Sequence, residues 1–263
     1  MVVVTGSAQA HDFWIEPSSF HPQPGDSVPI GLRVGEQFKG EPVTRNPAKI
    51  DRFIAIAPDG KEHPIAGTEG AEPAGNLQVD RLGIYLVGFR SRRSSIELEA
   101  AKFEEYLKEE GLSRISVLRA QRGETEKPGK EVYSRAAKAI LRVGDGSESG
   151  FDRPLGFTFE IVPQRNPYGL RPGQDDLPLI VLYENKPAEG MEVFAMNQGD
   201  SSKVLSAQSD KDGKVSFRLP TSGVWMIKAI HMASAPPDTQ ADWESVWATL
   251  TFEMSSEKPK SQR

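Results

Sequence analysis

The stretch Val224-Trp225-Met226-Ile227-Lys228-Ala229-Ile230 decides the fold class of this chain. It is a short, mostly apolar run, rich in β-branched and aromatic residues, which is typical of a buried strand. Similar runs lie on both sides of it, and turn sequences such as Asp210-Lys211-Asp212-Gly213 separate them. This pattern predicts an all-β fold in the C-terminal part of the chain.

Six such runs in the C-terminal part are strand candidates, at residues 177–183, 191–196, 203–208, 215–219, 224–230 and 246–252. We expect them to form a C-terminal β-sandwich over about residues 175–254, of the immunoglobulin or transthyretin-like kind. Residues 163–176, rich in Pro, Gly and Asp, have the composition of an interdomain linker. The tail at 255–263 has five Ser or Lys among its nine residues and is expected to be disordered.

The N-terminal part predicts a second β-sandwich, over residues 11–165, with a helical insertion at about 95–142. Strand candidates lie at 28–34, 50–57 and 83–89. After Ser94 the hydrophobic period changes, because Ser94-x-x-Glu97 forms a capping box and Phe103 and Leu107 lie one helical turn apart. We therefore expect a helix over about 95–110.

A weaker helix is predicted from Glu131 to Leu141, with Tyr133, Ala137 and Leu141 on one stripe. The stretch between the two helices, rich in Arg, Glu, Gly and Pro, is expected to be a solvated loop. The fold class is thus all-β, with two sandwiches and one helical insertion.

Composition excludes several classes of protein. The chain has 32 Lys and Arg against 37 Asp and Glu, a net charge of −5, so we expect no nucleic-acid partner. It contains no run of 18 apolar residues, so it is not expected to span a membrane. Cysteine is absent, so disulfides and thiolate chemistry are excluded, and a bound metal would need His, carboxylate, carbonyl or amine ligands.

The N-terminus carries a signal for export. Ala8-Gln9-Ala10 is the small-x-small pattern that signal peptidase cleaves, so residues 1–10 are expected to be the remnant of a signal peptide and the protein to be periplasmic or secreted. Cleavage there would make His11 the first residue. An N-terminal histidine offers its α-amine and its ring Nδ1 to the same ion.

The chain has four histidines, and two of them are candidate metal ligands. His21 and His63 are each followed by proline and are expected to be exposed loop residues. His231 ends the strand candidate at 224–230, where a side chain would stand at the rim of a sandwich. His11 and His231 are therefore the candidate ligands, although a lone histidine at the rim of a sandwich is usually structural.

Enzyme signatures are missing from the sequence. It has no Gly-rich phosphate loop, no serine nucleophile elbow and no His-Glu-x-x-His motif, and its carboxylates do not form an evident catalytic pair. Asp210-x-Asp212-Gly213 begins like a calcium loop, but Thr221 stands where that loop needs its last Glu, so a hairpin turn is expected. The four tryptophans are expected to be packing residues. We therefore expect a protein that is not an enzyme.

Several dispersed motifs resemble the DUF4198 family, whose members are described as periplasmic components of nickel or cobalt uptake systems. The resemblance covers about residues 11–254 and rests on His11-Asp12-Phe13-Trp14, Lys102-Phe103-Glu104-Glu105-Tyr106-Leu107, Tyr133-Ser134-Arg135, Thr221-Ser222-Gly223-Val224-Trp225 leading to His231, and Trp243-Glu244-Ser245-x-Trp247. It implies a metal-binding accessory to a membrane metal-transport permease, with His11 and His231 as the metal ligands. An amine and two imidazoles would suit Ni(II), Co(II) or Cu(II), and copper is the strongest binder by intrinsic affinity.

Two other functions stay open at this stage. A copper oxidase or monooxygenase could use the N-terminal His11 as half of a histidine brace. A sugar- or protein-binding adhesion module would use the loops of the sandwiches, and His11 would then be only an N-terminal residue.

Overall fold

The computed structural model describes residues 11–255. In this part of the chain strands dominate, and the two α-helices are α1 (Ala100–Glu109) and α2 (Ser113–Gln121). The strands are β1 (Asp12–Pro17), β2 (Ser27–Glu36), β3 (Lys39–Pro42), β4 (Ile50–Ile56), β5 (Glu62–Pro64), β6 (Gly75–Gln78), β7 (Gly83–Ser91), β8 (Ser94–Leu98), β9 (Gly129–Val143), β10 (Phe159–Pro163), β11 (Leu177–Tyr183), β12 (Lys186–Pro187), β13 (Glu192–Asn197), β14 (Asp200–Gln208), β15 (Lys214–Phe217), β16 (Gly223–Ser234) and β17 (Trp243–Met254). The predicted all-β, sandwich-like fold class is confirmed.

A nine-stranded central sheet runs through the molecule, in the order β14-β13-β16-β17-β9-β7-β4-β5 with β8 added beside β9. Strands from both halves of the sequence meet in it, because β17 pairs in parallel with β9, for example Ala248 with Ala136. The two regions predicted as separate sandwiches are therefore hydrogen-bonded through one sheet. Their division into two domains stays a prediction.

Two smaller sheets cover opposite faces of the central sheet. The sheet β1-β2-β3, with β6 beside β2, lies on what we call the front face, and β10-β11-β12, with β15 beside β11, lies on the back face. Alternate residues of β16 show the two layers, because Trp225 and Ile227 join the core under β10 and β11, whereas Met226 packs with Trp14 of β1. Successive side chains along a central strand thus face the two covering layers alternately.

The two helices cover the rest of the front face. Phe103 and Leu107 of α1 and Ile115 of α2 pack in one apolar cluster with Trp243 and Trp247 of β17. The burial of these large side chains, each contributing roughly 1.5–3 kcal/mol, holds the helices on the sheet. The predicted pairing of Phe103 and Leu107 on one helical face is confirmed.

The start of the predicted first helix is wrong. Ser94–Leu98 is strand β8, in which Ser94 pairs with Tyr133 and Glu97 with Lys130, so Ser94-x-x-Glu97 is not a capping box. The backbone hydrogen bonds to β9 outweigh the local capping signal. The helix begins only at Ala100.

The predicted second helix from Glu131 to Leu141 is wrong as well. These residues lie in β9, which is hydrogen-bonded to β17 on one side and to β7 on the other. A spacing of four residues places Tyr133, Ala137 and Leu141 on one face of a helix, and it does the same in a strand, where the period is two. The helical segment is thus confined to residues 100–121.

Helix α2 forms where a solvated loop was expected, and a buried arginine explains why. Arg119 donates from Nε to Glu104 Oε1 of α1 at 2.6 Å, and its Nη2 donates to the carbonyls of Glu124 and Lys127. These bonds join α1, α2 and the following turn. The buried residues of α2 are Ile115 and Arg119, so a charged residue stands on its buried face where a helical period needs an apolar one.

The C-terminal strands agree with the prediction, since each of the six candidate runs overlaps a strand, although the run at 215–219 extends two residues beyond β15. The residues from Asp210 to Gly213 form the expected hairpin turn, in which Asp210 Oδ1 accepts hydrogen bonds from the backbone of Asp212 and Lys214. All four tryptophans are buried, as expected. In the stretch predicted as a linker, Tyr168 is buried and donates its hydroxyl to the carbonyl of Ile140 at 2.6 Å.

Two of the predictions concern residues that the structure does not describe: the signal remnant at 1–10 and, beyond Ser255, the disordered tail. Between His11 and Ser255, no helix is both long and apolar enough to cross a membrane.

Candidate functional site

Strand β1, which begins directly after His11, is anchored to the central sheet along its outer edge. It pairs with β2 on one side, for example Asp12 with Gly35. On the other side, the carbonyls of Phe13 and Ile15 each accept a 2.8 Å hydrogen bond, from the hydroxyls of Thr249 and Thr251. The position of β1 relative to β2 and to the central sheet is therefore fixed, and so is the position of His11, which directly precedes β1.

His11 lies beside a glutamate at the end of β2. Its ring Nδ1 is 3.2 Å from Oε1 of Glu36, and the two side chains are 33% and 55% exposed. The Nδ1 atom itself is shielded from solvent and makes no hydrogen bond with residues 11–255. An imidazole nitrogen and a carboxylate oxygen thus meet at an open rim of the molecule.

The next residue, Asp12, belongs to a buried charge network on the front face. Lys228 Nζ donates to Asp12 Oδ1 at 2.7 Å and to Glu110, just after α1, at 2.8 and 3.1 Å. Burial raises the pKa of Glu110 to about 7, despite the opposing charge of Lys228. Burial alone would lower the pKa of Lys228, but Asp12 and Glu110 outweigh it and raise that pKa.

Two further buried polar groups lie between the helices and β1. The Arg135 guanidinium lies 5.1 Å from the centre of the Phe13 ring and 5.2 Å from that of Tyr133, and burial lowers the pKa of this arginine. Glu131 Oε1 accepts hydrogen bonds from Tyr106 and Ser245, and burial raises the pKa of Glu131 to about 7. Its Oε2 has no partner among residues 11–255.

These buried polar groups lie along the front face, where the β1 sheet and the helices adjoin: Asp12, Glu110, Glu131, Arg135 and Lys228. Sequence reasoning missed them, because they are far apart in the chain. One signal was available: Lys228 interrupts an apolar strand, and a charged residue in a buried strand needs a partner.

His231 lies on the back face of the central sheet. Its ring stacks on Tyr183, with centroids 3.9 Å apart and planes at 20°, and Phe159 is 5.8 Å away. Burial, assisted by the charge of Arg114, lowers the pKa of His231 to about 4. The imidazole is therefore neutral at pH 7, as a metal ligand must be, but an aromatic ring covers one of its faces.

The structure does not bring His11 and His231 together. His231 and Lys228 are three residues apart in β16, so their side chains point to opposite faces, and Lys228 bonds Asp12 on the front face. In the described part of the chain, no three His, Asp or Glu side chains are grouped so that they could hold a metal ion. A metal role for either histidine stays a prediction, but one ion shared by both is not supported.

The exposed loop positions predicted for the other two histidines are confirmed only in part, since His21 lies in a loop and His63 is exposed. His21 is half-buried, with its ring 4.9 Å from that of Tyr168 and its Nε2 3.7 Å from Glu253, and burial lowers its pKa. His63 is exposed but lies in the short edge strand β5, paired with Ala55. Tertiary packing that the flanking prolines do not reveal explains both differences.

A family model described as "Domain of unknown function (DUF4198)" matches residues 8–233. The chain belongs to this family. The family description states no activity or ligand for DUF4198 proteins. None of the curated proteins matches this DUF4198 chain.

Three solved structures have a low overall similarity to this chain. The tetra-tandem repeat in the extending region of a large adhesion protein is 11% identical, with a TM-score of 0.24, and the alignment covers 94% of this chain and 50% of that one. The D0-D1 domain of intimin is 12% identical, with a TM-score of 0.22, and the alignment covers 92% of this chain and 97% of that one. The BSP domain of a biofilm associated protein is 9% identical, with a TM-score of 0.21, and the alignment covers 93% of this chain and 30% of that one. The DUF4198 chain thus spans half of the first of these and less than a third of the last.

Proposed function

We propose that this DUF4198 protein is a periplasmic binding protein for a divalent transition metal, nickel or cobalt, and that it serves as an accessory to a membrane metal-transport permease. The observation that supports this most is the pair formed by His11 and Glu36, with Nδ1 and Oε1 3.2 Å apart and both side chains partly exposed. His11 follows directly after Ala8-Gln9-Ala10, the pattern of a signal-peptidase site.

Export would complete the set of donors at this rim. Cleavage after Ala10 frees the α-amine of His11, so one residue would offer two nitrogens, and Glu36 would add an oxygen. Nitrogen and oxygen donors of this kind suit Ni(II), Co(II) and Cu(II). His231 is not part of this set, because it lies on the other face of the central sheet.

The fold supports such a site by holding His11 in place. The Thr249 and Thr251 hydroxyls fix β1, and the ion pair between Asp12 and Lys228 fixes the residue next to His11. Ligands that are ordered before the ion arrives lose less entropy on binding. Glu36, whose side chain is 55% exposed, keeps one side of the site open to solvent, which suits capture and delivery.

The test compares two forms of the chain by calorimetry with Ni(II), Co(II) and Cu(II). One form begins at His11 with its free amine, and the other has that amine acetylated, which turns it into an amide without creating a new N-terminal amine beside the histidine. The first form should bind and the second should bind much more weakly. His11→Ala should abolish binding and Glu36→Gln should weaken it, whereas Glu41→Gln, an exposed residue of the adjacent strand β3, should have no effect.

The same experiment distinguishes the other functions. A histidine brace needs a second imidazole at His11, which the described residues do not supply, so ascorbate-driven peroxide production by the copper-loaded protein would contradict the proposal. Absence of metal binding at micromolar concentration in the form that begins at His11 would contradict it too and would favour an adhesion module.

A further inference from the structure

A cleft of about 470 Å³ lies beside β1, between the front sheet and the turn after β13. His11 and Glu36 do not line it, so it is separate from the proposed metal site. Its volume is within the range of small-molecule binding sites. We call it the Glu16 cleft, after the carboxylate that its polar contacts share.

Side chains from three parts of the chain hold the polar wall of the cleft in a defined arrangement. Glu16 Oε2 accepts from Arg33 Nε at 2.5 Å, and Glu16 Oε1 accepts from Gln198 Nε2 at 3.2 Å. Arg33 Nη2 is also 4.0 Å from Glu72 Oε1. Carboxylate, guanidinium and carboxamide groups fixed in this way can each donate to or accept from a ligand in a set direction.

The indole ring of Trp14 forms a buried wall of the cleft. Trp14 lines the cleft and is 1% exposed, and its Nε1 is shielded from solvent without a hydrogen-bond partner among residues 11–255. Gly40 packs closely on the ring, since a Cβ there would lie 2.7 Å from Cη2 of Trp14. The ring is therefore fixed in place, and its indole signal reports on what enters the cleft.

The charge of the lining residues restricts the ligand. Glu16, Glu72 and Glu253 face one Arg33, a formal charge of −2, which disfavours an acidic ligand. A metal ion does not fit, because no three carboxylates or histidines within residues 11–255 are grouped to hold one. Donors and acceptors are instead spread along the cleft, which matches a ligand with several hydroxyl groups.

We propose that the Glu16 cleft binds a saccharide unit that carries no acidic group. Its hydroxyls accept from Arg33 and donate to Glu72, Glu253 and Gln198, and its ring lies against Trp14. An amino sugar gains additionally from the negative charge of the lining. This binding is independent of a metal ion at His11.

The experiment follows the indole N–H signals of the ¹⁵N-labelled full chain by NMR. The chain has four tryptophans, so Trp14→Phe identifies the Trp14 signal as the one that disappears. The probes are glucosamine, N-acetylglucosamine and glucuronic acid, which share a ring and differ in charge. Glucosamine and N-acetylglucosamine should shift the Trp14 signal in a saturable way, and glucuronic acid should not.

Two exposed cleft residues give variants that should keep the fold. Glu72→Gln and Gln198→Ala should each weaken binding roughly five- to tenfold, the scale of one lost hydrogen bond. Glu69→Gln, an exposed residue in the same loop but outside the cleft, should bind like the wild type. No shift with the two non-acidic sugars, equal binding of glucuronic acid, or unchanged binding in both cleft variants would each overturn the proposal.

Discussion

Replacing Glu131 by glutamine should remove a large part of the pH dependence of folding. This carboxyl is 2% exposed, and its folded-state pKa of about 7 lies above the ordinary value of 4.5. The folded state therefore keeps the proton in a range where the unfolded chain has lost it. The stability associated with protonated Glu131 is fully present below pH 4.5 and is lost as the pH rises towards 7.

The size of the effect follows from the two pKa values. Between pH 5 and pH 8, a carboxyl with pKa values of about 7 folded and 4.5 unfolded lowers the free energy of unfolding by about 2–3 kcal/mol. Glutamine has the shape of the protonated acid, and it can still accept from Tyr106 and Ser245. Glu131→Gln should thus be about 1 kcal/mol more stable than the wild type at pH 5 and about 3 kcal/mol more stable at pH 8.

Urea unfolding at both pH values, followed by tryptophan fluorescence, measures this difference, because Trp243 and Trp247 pack under the same helices. Subtracting the free energy of unfolding of the wild type from that of the variant removes the contribution of the groups that titrate in both proteins. Glu97→Gln, an exposed residue of the neighbouring strand β8, is the control and should show no such change. A pH dependence that is the same in Glu131→Gln and in the wild type would refute the reasoning.

Three further predictions test other parts of the structure. Lys228→Met leaves buried Asp12 and Glu110 without their cation, so it should lower the free energy of unfolding by about 3 kcal/mol at pH 7. Lys203→Met, at an exposed position, should change that free energy little. Equal urea midpoints for the two variants would contradict this prediction. Thr251→Val removes the hydrogen bond to the Ile15 carbonyl and should cost about 1–2 kcal/mol in the same assay; no loss would show that β1 does not depend on that bond. His231→Ala should leave metal affinity at His11 unchanged in calorimetry, and a lost affinity would mean that the two residues share a site after all.

Much of the sheet structure could be predicted from sequence. The C-terminal strands are separated by turns whose chemistry is local, as in Asp210–Gly213, so each run of apolar residues identifies a strand without reference to the rest of the molecule. The pairing of Phe103 and Leu107 predicted α1 for the same reason. These features depend on neighbours within about four residues, which a sequence shows directly.

The two errors in the helical region have a different origin. Tyr133, Ala137 and Leu141 are four residues apart, a spacing that fits one face of a helix and one face of a strand equally well. Only the partners β17 and β7, which are distant in sequence, decide for a strand. Ser94 and Glu97 likewise have a local capping pattern that the pairing with β9 overrides.

For the candidate site, the sequence by itself determined which residue types were available: a chain without cysteine and with His11 directly after an Ala-x-Ala pattern. Tertiary structure alone decided which of them meet. Pairing of β1 with β2 brings Glu36 to His11, whereas the odd spacing between Lys228 and His231 puts His231 on the back face. Successive residues of a strand point to opposite faces of the sheet, and the pairing with neighbouring strands decides which face is which. The face that a residue occupies is therefore known only once its strand is paired.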